Sequence, residues 1–130
     1  MSLAATSMPP RWTSISLWVV RGLLALAFVG AGGAKLYGVP MMVQEFEHIG
    51  LGQWFRYLTG ALEVFGALLI LTPTLAAFGA LLLIGIMIGA IVTHLFVIGG
   101  TAVPALVLLA LSAIVAYVKR GQLASLARML

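Results

Sequence analysis

The chain has 130 residues, of which 63% are hydrophobic and only 8% charged. Soluble domains carry about 25% charged residues, so this composition excludes a water-soluble globule and indicates a membrane protein. The absence of cysteine excludes disulfides and thiolate chemistry. The net charge of +4 comes from basic residues at the ends of apolar runs. Because such positions mark membrane orientation, we expect no nucleic-acid partner.

The N-terminal part combines a polar segment with a first apolar run. Residues 1–13 are small, polar and proline-containing, and we expect them to form a loosely ordered tail. Residues 15–36 are long and apolar enough to cross the bilayer. A basic residue, Arg11, followed by an apolar stretch and then by small residues 30–34 also resembles a secretory signal peptide with a cleavage site. Arg21 inside the run and three further apolar runs favour an uncleaved span.

The longest polar stretch, residues 37–55, predicts a short amphipathic helix lying on the membrane surface. Pro40 suits the first turn of a helix, and Gly50 provides a stop. Apolar residues recur at helical spacing between them. Glu45 and His48 are three residues apart and share the opposite, polar face.

Three further apolar runs predict the rest of the fold. Each is of a length that can cross the bilayer, which takes ~17–25 residues, and turn residues separate them. They cover residues 54–71, 75–98 and 102–118. We therefore expect an all-α polytopic membrane protein, with four transmembrane helices in an antiparallel bundle and the interfacial helix between the first two. One domain then covers residues 1–130.

The basic residues predict the orientation of this bundle. Five lie on the side of both termini, namely Arg11, Arg21, Lys119, Arg120 and Arg128. By the positive-inside rule both termini are cytoplasmic. Lys35 and Arg56 fall on the outer side. We interpret Arg21 as an anchor that reaches the interface, and Lys35 as either such an anchor or part of a polar site.

Glu63 is an acidic residue inside the second apolar run. A carboxylate at the bilayer centre costs roughly 2.5–3.5 kcal/mol on insertion scales, so we expect a partner for it. Gly60 and Gly66 share its helix face, where small residues let neighbouring helices approach and enclose a charge.

These depths predict a polar pocket in the outer half of the bundle. Its candidate members are Glu63, Lys35, His94, Glu45, His48 and Tyr37. The alternative is structural: Glu63 accepts hydrogen bonds from Lys35, Tyr37 or Thr59 and fixes helix packing. The candidates do not form a dense ligand cluster, so we expect no metal site. The sequence contains no catalytic triad, phosphate-binding loop or zinc motif. It therefore gives no indication of an autonomous enzyme.

Gly85 and Gly89 form a GxxxG ridge in the third run. Such a ridge lets another helix pack closely. That helix belongs either to the same chain or to a second copy, and the sequence leaves both open.

Three groups of residues together resemble the DoxX-like family of small membrane proteins. The first group ends the first span: Gly30-Ala31 and Gly33-Ala34-Lys35-Leu36. The second lies in the loop, Phe46 and Ile49-Gly50-Leu51, and the third in the second span, Gly60, Glu63, Gly66-Ala67 and Leu69, followed by Pro73. His94, which closes the third span, also fits the family. The resemblance implies a four-helix protein of the bacterial inner membrane. Some relatives are subunits tied to quinone-linked oxidation of sulfur compounds or to oxidative-stress responses.

The leading hypothesis is therefore a membrane protein that binds a small lipophilic or quinone-like molecule, or a lipid, or that docks a redox-protein partner. In this hypothesis Glu63 accepts a hydrogen bond or a proton, and Lys35 and His94 determine the charge state of Glu63. Two alternatives stay open. One is a small transporter in which Glu63 and His94 relay protons. The other is a scaffold without ligand that forms a homodimer through Gly85 and Gly89.

Overall fold

A computed structural model describes residues 11–130. These residues form six α-helices and no strand: α1 Arg11–Tyr37, α2 Pro40–Ile49, α3 Gln53–Leu71, α4 Ala76–Thr93, α5 Val103–Val118 and α6 Arg120–Met129. A π-helical turn, His94–Ile98, continues α4. The predicted all-α class is confirmed.

Three stretches are long and apolar enough to cross a membrane: α1, α3, and α4 with its π-helical turn. Helix α5 carries no charged residue but has only 16 residues. It is bent by 54° relative to α6, and the two together would give a fourth span.

The structure differs from the sequence prediction at the start of α1. Helix α1 begins at Arg11, so residues 11–13, which we assigned to the tail, are helical. The rest of that prediction concerns residues 1–10, which lie outside the described residues.

Helix α2 has the bounds that its sequence predicts. Pro40 occupies the first turn, and Gly50 ends the helix in the left-handed conformation with φ +85°. Phe46 is its buried residue, and its ring lies 5.9 Å from that of Phe55 on α3. This aromatic contact holds α2 against the beginning of α3.

Helices α1 and α3 pack backbone to backbone at a pair of glycines. A Cβ atom added to Gly32 would lie 2.7 Å from the carbonyl oxygen of Gly60, and one added to Gly60 would lie 2.8 Å from that of Gly32. No real Cβ atom tolerates such distances, so only glycine permits this approach. Near the other end of α3, a Cβ on Gly79 of α4 would lie 2.7 Å from the Gly66 carbonyl oxygen.

Arg21 is buried against the C-terminal end of α3, whereas the sequence predicts a side chain that extends to the interface. Its side chain is 1% exposed. Nε donates to the carbonyl of Ile70 at 2.8 Å, and Nη2 donates to that of Thr72 at 3.2 Å. These carbonyls end α3 and have no partner within the helix. A cation here also matches the negative end of the helix dipole.

Arg56 makes the reciprocal contact at the opposite end of the same helix pair. It lies near the start of α3 and is buried. Its Nη1 donates to the carbonyl of Lys35, in the last turn of α1, and its Nε donates to Gln53 Oε1 at 2.6 Å. Each helix therefore carries an arginine that binds the C-terminal carbonyls of the other.

Helix α6 is tied to the turn between α3 and α4. The Gln122 amide donates to the carbonyl of Pro73 at 2.7 Å and accepts the backbone N–H of Ala77 at 2.9 Å. One side chain thus satisfies a turn carbonyl and an amide in the first turn of α4, which would otherwise lack a helical partner. The apolar core lies between α1, α3, α4 and α5.

Candidate functional site

A cavity of about 550 Å³ lies between α3 and α4, at the end remote from the turn that joins them. Near the turn the two helices touch through Gly66 and Gly79. Farther along, Gly85 and Gly89 have nothing within 4 Å of an added Cβ atom. The helices therefore diverge, and the cavity fills the gap.

Most of the cavity surface is apolar. Its walls come from the facing sides of α3 and α4 and from α2, and they include Leu58, Leu62, Leu82, Ile86, Met87 and Ala90. Leucine, isoleucine and methionine side chains offer an adaptable surface for a hydrophobic ligand.

An ion pair forms the polar end of the cavity. Lys35 Nζ lies 2.8 Å from Glu63 Oε1, and the Glu63 side chain is 2% exposed against 14% for Lys35. The Gly32–Gly60 contact, one helical turn away, brings α1 close enough to α3 for this pairing. The carboxylate thus has the basic partner that its burial requires.

Four further polar groups line the same cavity. The hydroxyl of Thr59 donates to the carbonyl of Phe55 at 2.8 Å, and that of Thr93 donates to the carbonyl of Gly89 at 2.8 Å. His94 opens the π-helical turn, and Glu45 comes from α2. Turns of π-helix are frequent at functional sites in proteins.

The structure brings four of the six predicted pocket residues together: Lys35, Glu45, Glu63 and His94 line the cavity. Tyr37 and His48 do not line it. Tyr37 is the last residue of α1 and is 88% exposed. His48 is exposed, with its Nδ1 atom 2.9 Å from the carbonyl oxygen of Gln44.

The rotation of α2 explains why Glu45 lines the cavity and His48 does not. Buried Phe46 marks the inner face of the helix. Glu45 is adjacent to it and one turn before Ile49, which also lines the cavity. His48 lies about 200° away from Phe46 at 100° per residue, and so it points outward.

The sequence leaves open whether Gly85 and Gly89 pack against a helix of the same chain or of a second copy. Within residues 11–130 a Cβ atom added to either glycine would have nothing within 4 Å, and both glycines line the cavity. Gly60 and Gly66 lie at close helix contacts.

Sequence reasoning missed the buried role of Arg56, which fixes the Lys35 backbone. The signal available was its position just before an apolar run that lacks any other cation. It missed Gly79 as well, whose neighbours Ala76, Ala77 and Ala80 form a small-residue face.

The cavity offers no cluster of metal ligands. Across residues 11–130, no three His, Asp or Glu residues are close enough to hold a metal ion.

Comparison with protein families gives a match over most of the chain. The model of the DoxX-like family matches residues 19–119, a range that contains every residue lining the cavity. No curated protein and no solved structure matches the chain.

Proposed function

Because the chain belongs to the DoxX-like family, we propose that it is a multi-pass protein of the bacterial inner membrane whose cavity binds a small lipophilic, quinone-like molecule. In this proposal α1, α3, α4 and α5 cross the membrane as an antiparallel bundle. Helix α2 lies on the outer surface, and both termini are cytoplasmic. The distribution of basic residues supports this orientation.

The observation that carries the proposal is an apolar cavity with a buried ion pair at its polar end. Its volume of about 550 Å³ falls within the range of small-molecule sites, roughly 300–1,000 Å³. Intramembrane ionisable groups next to a cavity are typical of ligand or ion sites.

The residues present fit a quinone-like molecule. The leucines and Ile86 provide contacts for a ring and a hydrocarbon tail. Lys35 Nζ has hydrogens beyond the one directed at Glu63, and it can donate to an oxygen of the ring. A quinone, when bound, would supply electron exchange with a redox-protein partner at the membrane surface.

The direct test fills the cavity without disturbing the helices. Gly85→Leu places a side chain in open space on the cavity wall, so folding should be unaffected while binding of a tritiated short-chain quinone to purified protein is lost. Gly30→Leu is the matched control, because Gly30 is also helical with nothing within 4 Å but does not line the cavity. Unchanged binding to a folded Gly85→Leu variant would remove the cavity as the site.

Glu63→Gln tests the polar end separately. We expect weaker binding, since the side chain keeps its shape but loses the charge that orients Lys35. Binding equal to that of the wild type, with intact folding, would remove Glu63 from the site.

A second candidate function is proton-coupled transport, and the observation in its favour is that Glu63 and His94 line one cavity. Proton flux into liposomes driven by a substrate gradient would support it, whereas a binding protein shows none.

A third candidate is a homodimeric scaffold, because Gly85 and Gly89 are exposed and free of neighbours among residues 11–130. A wild-type protein that is monomeric in detergent would contradict the homodimer.

A further inference from the structure

The two threonine hydroxyl groups of the cavity already donate their protons within their own helices. Thr59 directs its proton to the carbonyl of Phe55, and Thr93 directs its proton to the carbonyl of Gly89. A hydroxyl has one hydrogen and two lone pairs. Both side chains therefore present lone pairs to the cavity.

The hydrogen bond of His94 determines which ring nitrogen carries the proton. Its Nδ1 atom lies 3.0 Å from the carbonyl oxygen of Gly99. A carbonyl oxygen has no hydrogen to donate, so Nδ1 is the donor. In the neutral ring, Nε2 is then left as an acceptor.

The charged groups continue the same pattern. The carboxylates of Glu45 and Glu63 accept hydrogen bonds, and Glu45 forms no ion pair within the described part of the chain. Lys35 is the donor among the charged lining residues, and one of its three hydrogens is directed at Glu63.

From this inventory we infer that the cavity selects a ligand whose polar head donates hydrogen bonds at more than one position, so that a hydroquinone binds in preference to the corresponding quinone. The inference rests on the proposed function and names the form of the ligand at the same site. A hydroquinone carries an O–H group at each end of its ring. One end can lie at the Glu63–Lys35 pair, and the other can donate to Glu45, a threonine oxygen or His94.

A quinone has two carbonyl oxygens and no donor. Lys35 can satisfy one of them, but the other end of the ring then faces oxygen and nitrogen lone pairs. Because buried polar groups without partners lose the hydrogen bonds they had in water, the quinone binds more weakly.

Three probes with the same decyl tail test the inference: a hydroquinone, the corresponding benzoquinone, and the hydroquinone dimethyl ether. The dimethyl ether keeps the ring oxygens but removes both donors. Binding of each tritiated probe to purified wild-type protein is measured without oxygen. We expect the hydroquinone to bind at least ~10-fold more tightly than either other probe, which corresponds to about 1.4 kcal/mol.

The outcomes separate the inference from the proposed function. Equal affinities, or tighter binding of the benzoquinone, overturn the donor preference while the cavity remains the binding site. Saturable binding of none of the three probes overturns both.

Variants of the two histidines locate the acceptor. His94→Leu should lower the affinity for the hydroquinone about fivefold or more, on the scale of one net hydrogen bond, and leave that for the benzoquinone nearly unchanged. His48→Leu is the matched control and should change neither, because His48 lies outside the cavity. An equal loss for both probes in His94→Leu would contradict the acceptor role of Nε2.

Discussion

Replacing Lys35 with methionine should destabilise the fold far more than replacing both members of the ion pair. The substitution keeps most of the side-chain volume but removes the cation 2.8 Å from the Glu63 carboxylate. Glu63 is almost fully buried, so its charge is left without compensation. We therefore expect the free energy of unfolding to fall in Lys35→Met and to recover in the double variant with Glu63→Gln.

The burial of the ion pair determines how far the free energy of unfolding of Lys35→Met should fall. Breaking a buried pair by removing one partner costs roughly 3–5 kcal/mol. Because the Lys35 side chain keeps 14% of its exposure, we expect a value near the lower end, about 3 kcal/mol. Replacing both charges leaves no stranded ion, and the double variant should lose about 2–3 kcal/mol less than the sum of the two single variants.

Unfolding by sodium dodecyl sulfate in mixed micelles, followed by circular dichroism, measures these differences. Glu47→Gln is the control, because it removes an exposed carboxylate of α2 that forms no ion pair within residues 11–130. Strict additivity of the two single variants would refute the reasoning, since it would mean that the two charges do not stabilise each other.

Three further predictions concern the helix contacts, and each is checked by the same unfolding measurement. Gly60→Ala should destabilise the protein by about 1–3 kcal/mol, because its new Cβ meets a backbone carbonyl. Gly30→Ala, in open space, should instead stabilise it by up to about 1 kcal/mol through helix propensity, and equal effects would contradict the close contact. Arg21→Met should cost about 1–3 kcal/mol by leaving the Ile70 carbonyl of α3 without a donor, whereas Arg11→Met, at an exposed site, should cost almost nothing. Gln122→Leu should cost about 1–2 kcal/mol through the loss of two hydrogen bonds, and no change would show that α6 does not hold the turn.

The sequence was informative where one residue type has few structural uses. Pro40 and Gly50 predicted both ends of α2, because each favours one backbone geometry at a helix terminus. The pairing of Glu63 with Lys35 followed from burial cost and from their similar depth, and the structure shows the contact.

The sequence was less informative where a side chain has two compatible environments. Arg21 can reach an interface or bind free carbonyls, and only the antiparallel contact of α1 with α3 decides between them. Gly85 and Gly89 can pack against a helix of the same chain or leave space within it, and the divergence of α4 from α3 leaves space there. Tyr37 and His48 were assigned to the pocket by proximity along the chain, without the rotation of their helices.

The reciprocal arginine contacts have a mechanical consequence. Arg21 and Arg56 fasten α1 and α3 to each other at both ends, and the Gly32–Gly60 contact prevents sliding between them. One side of the cavity is therefore stiff. Any swelling to admit a bulkier guest therefore has to come from α4, whose close contacts with Gly66 of α3, through Gly79 and Leu83, lie toward the turn that joins the two helices.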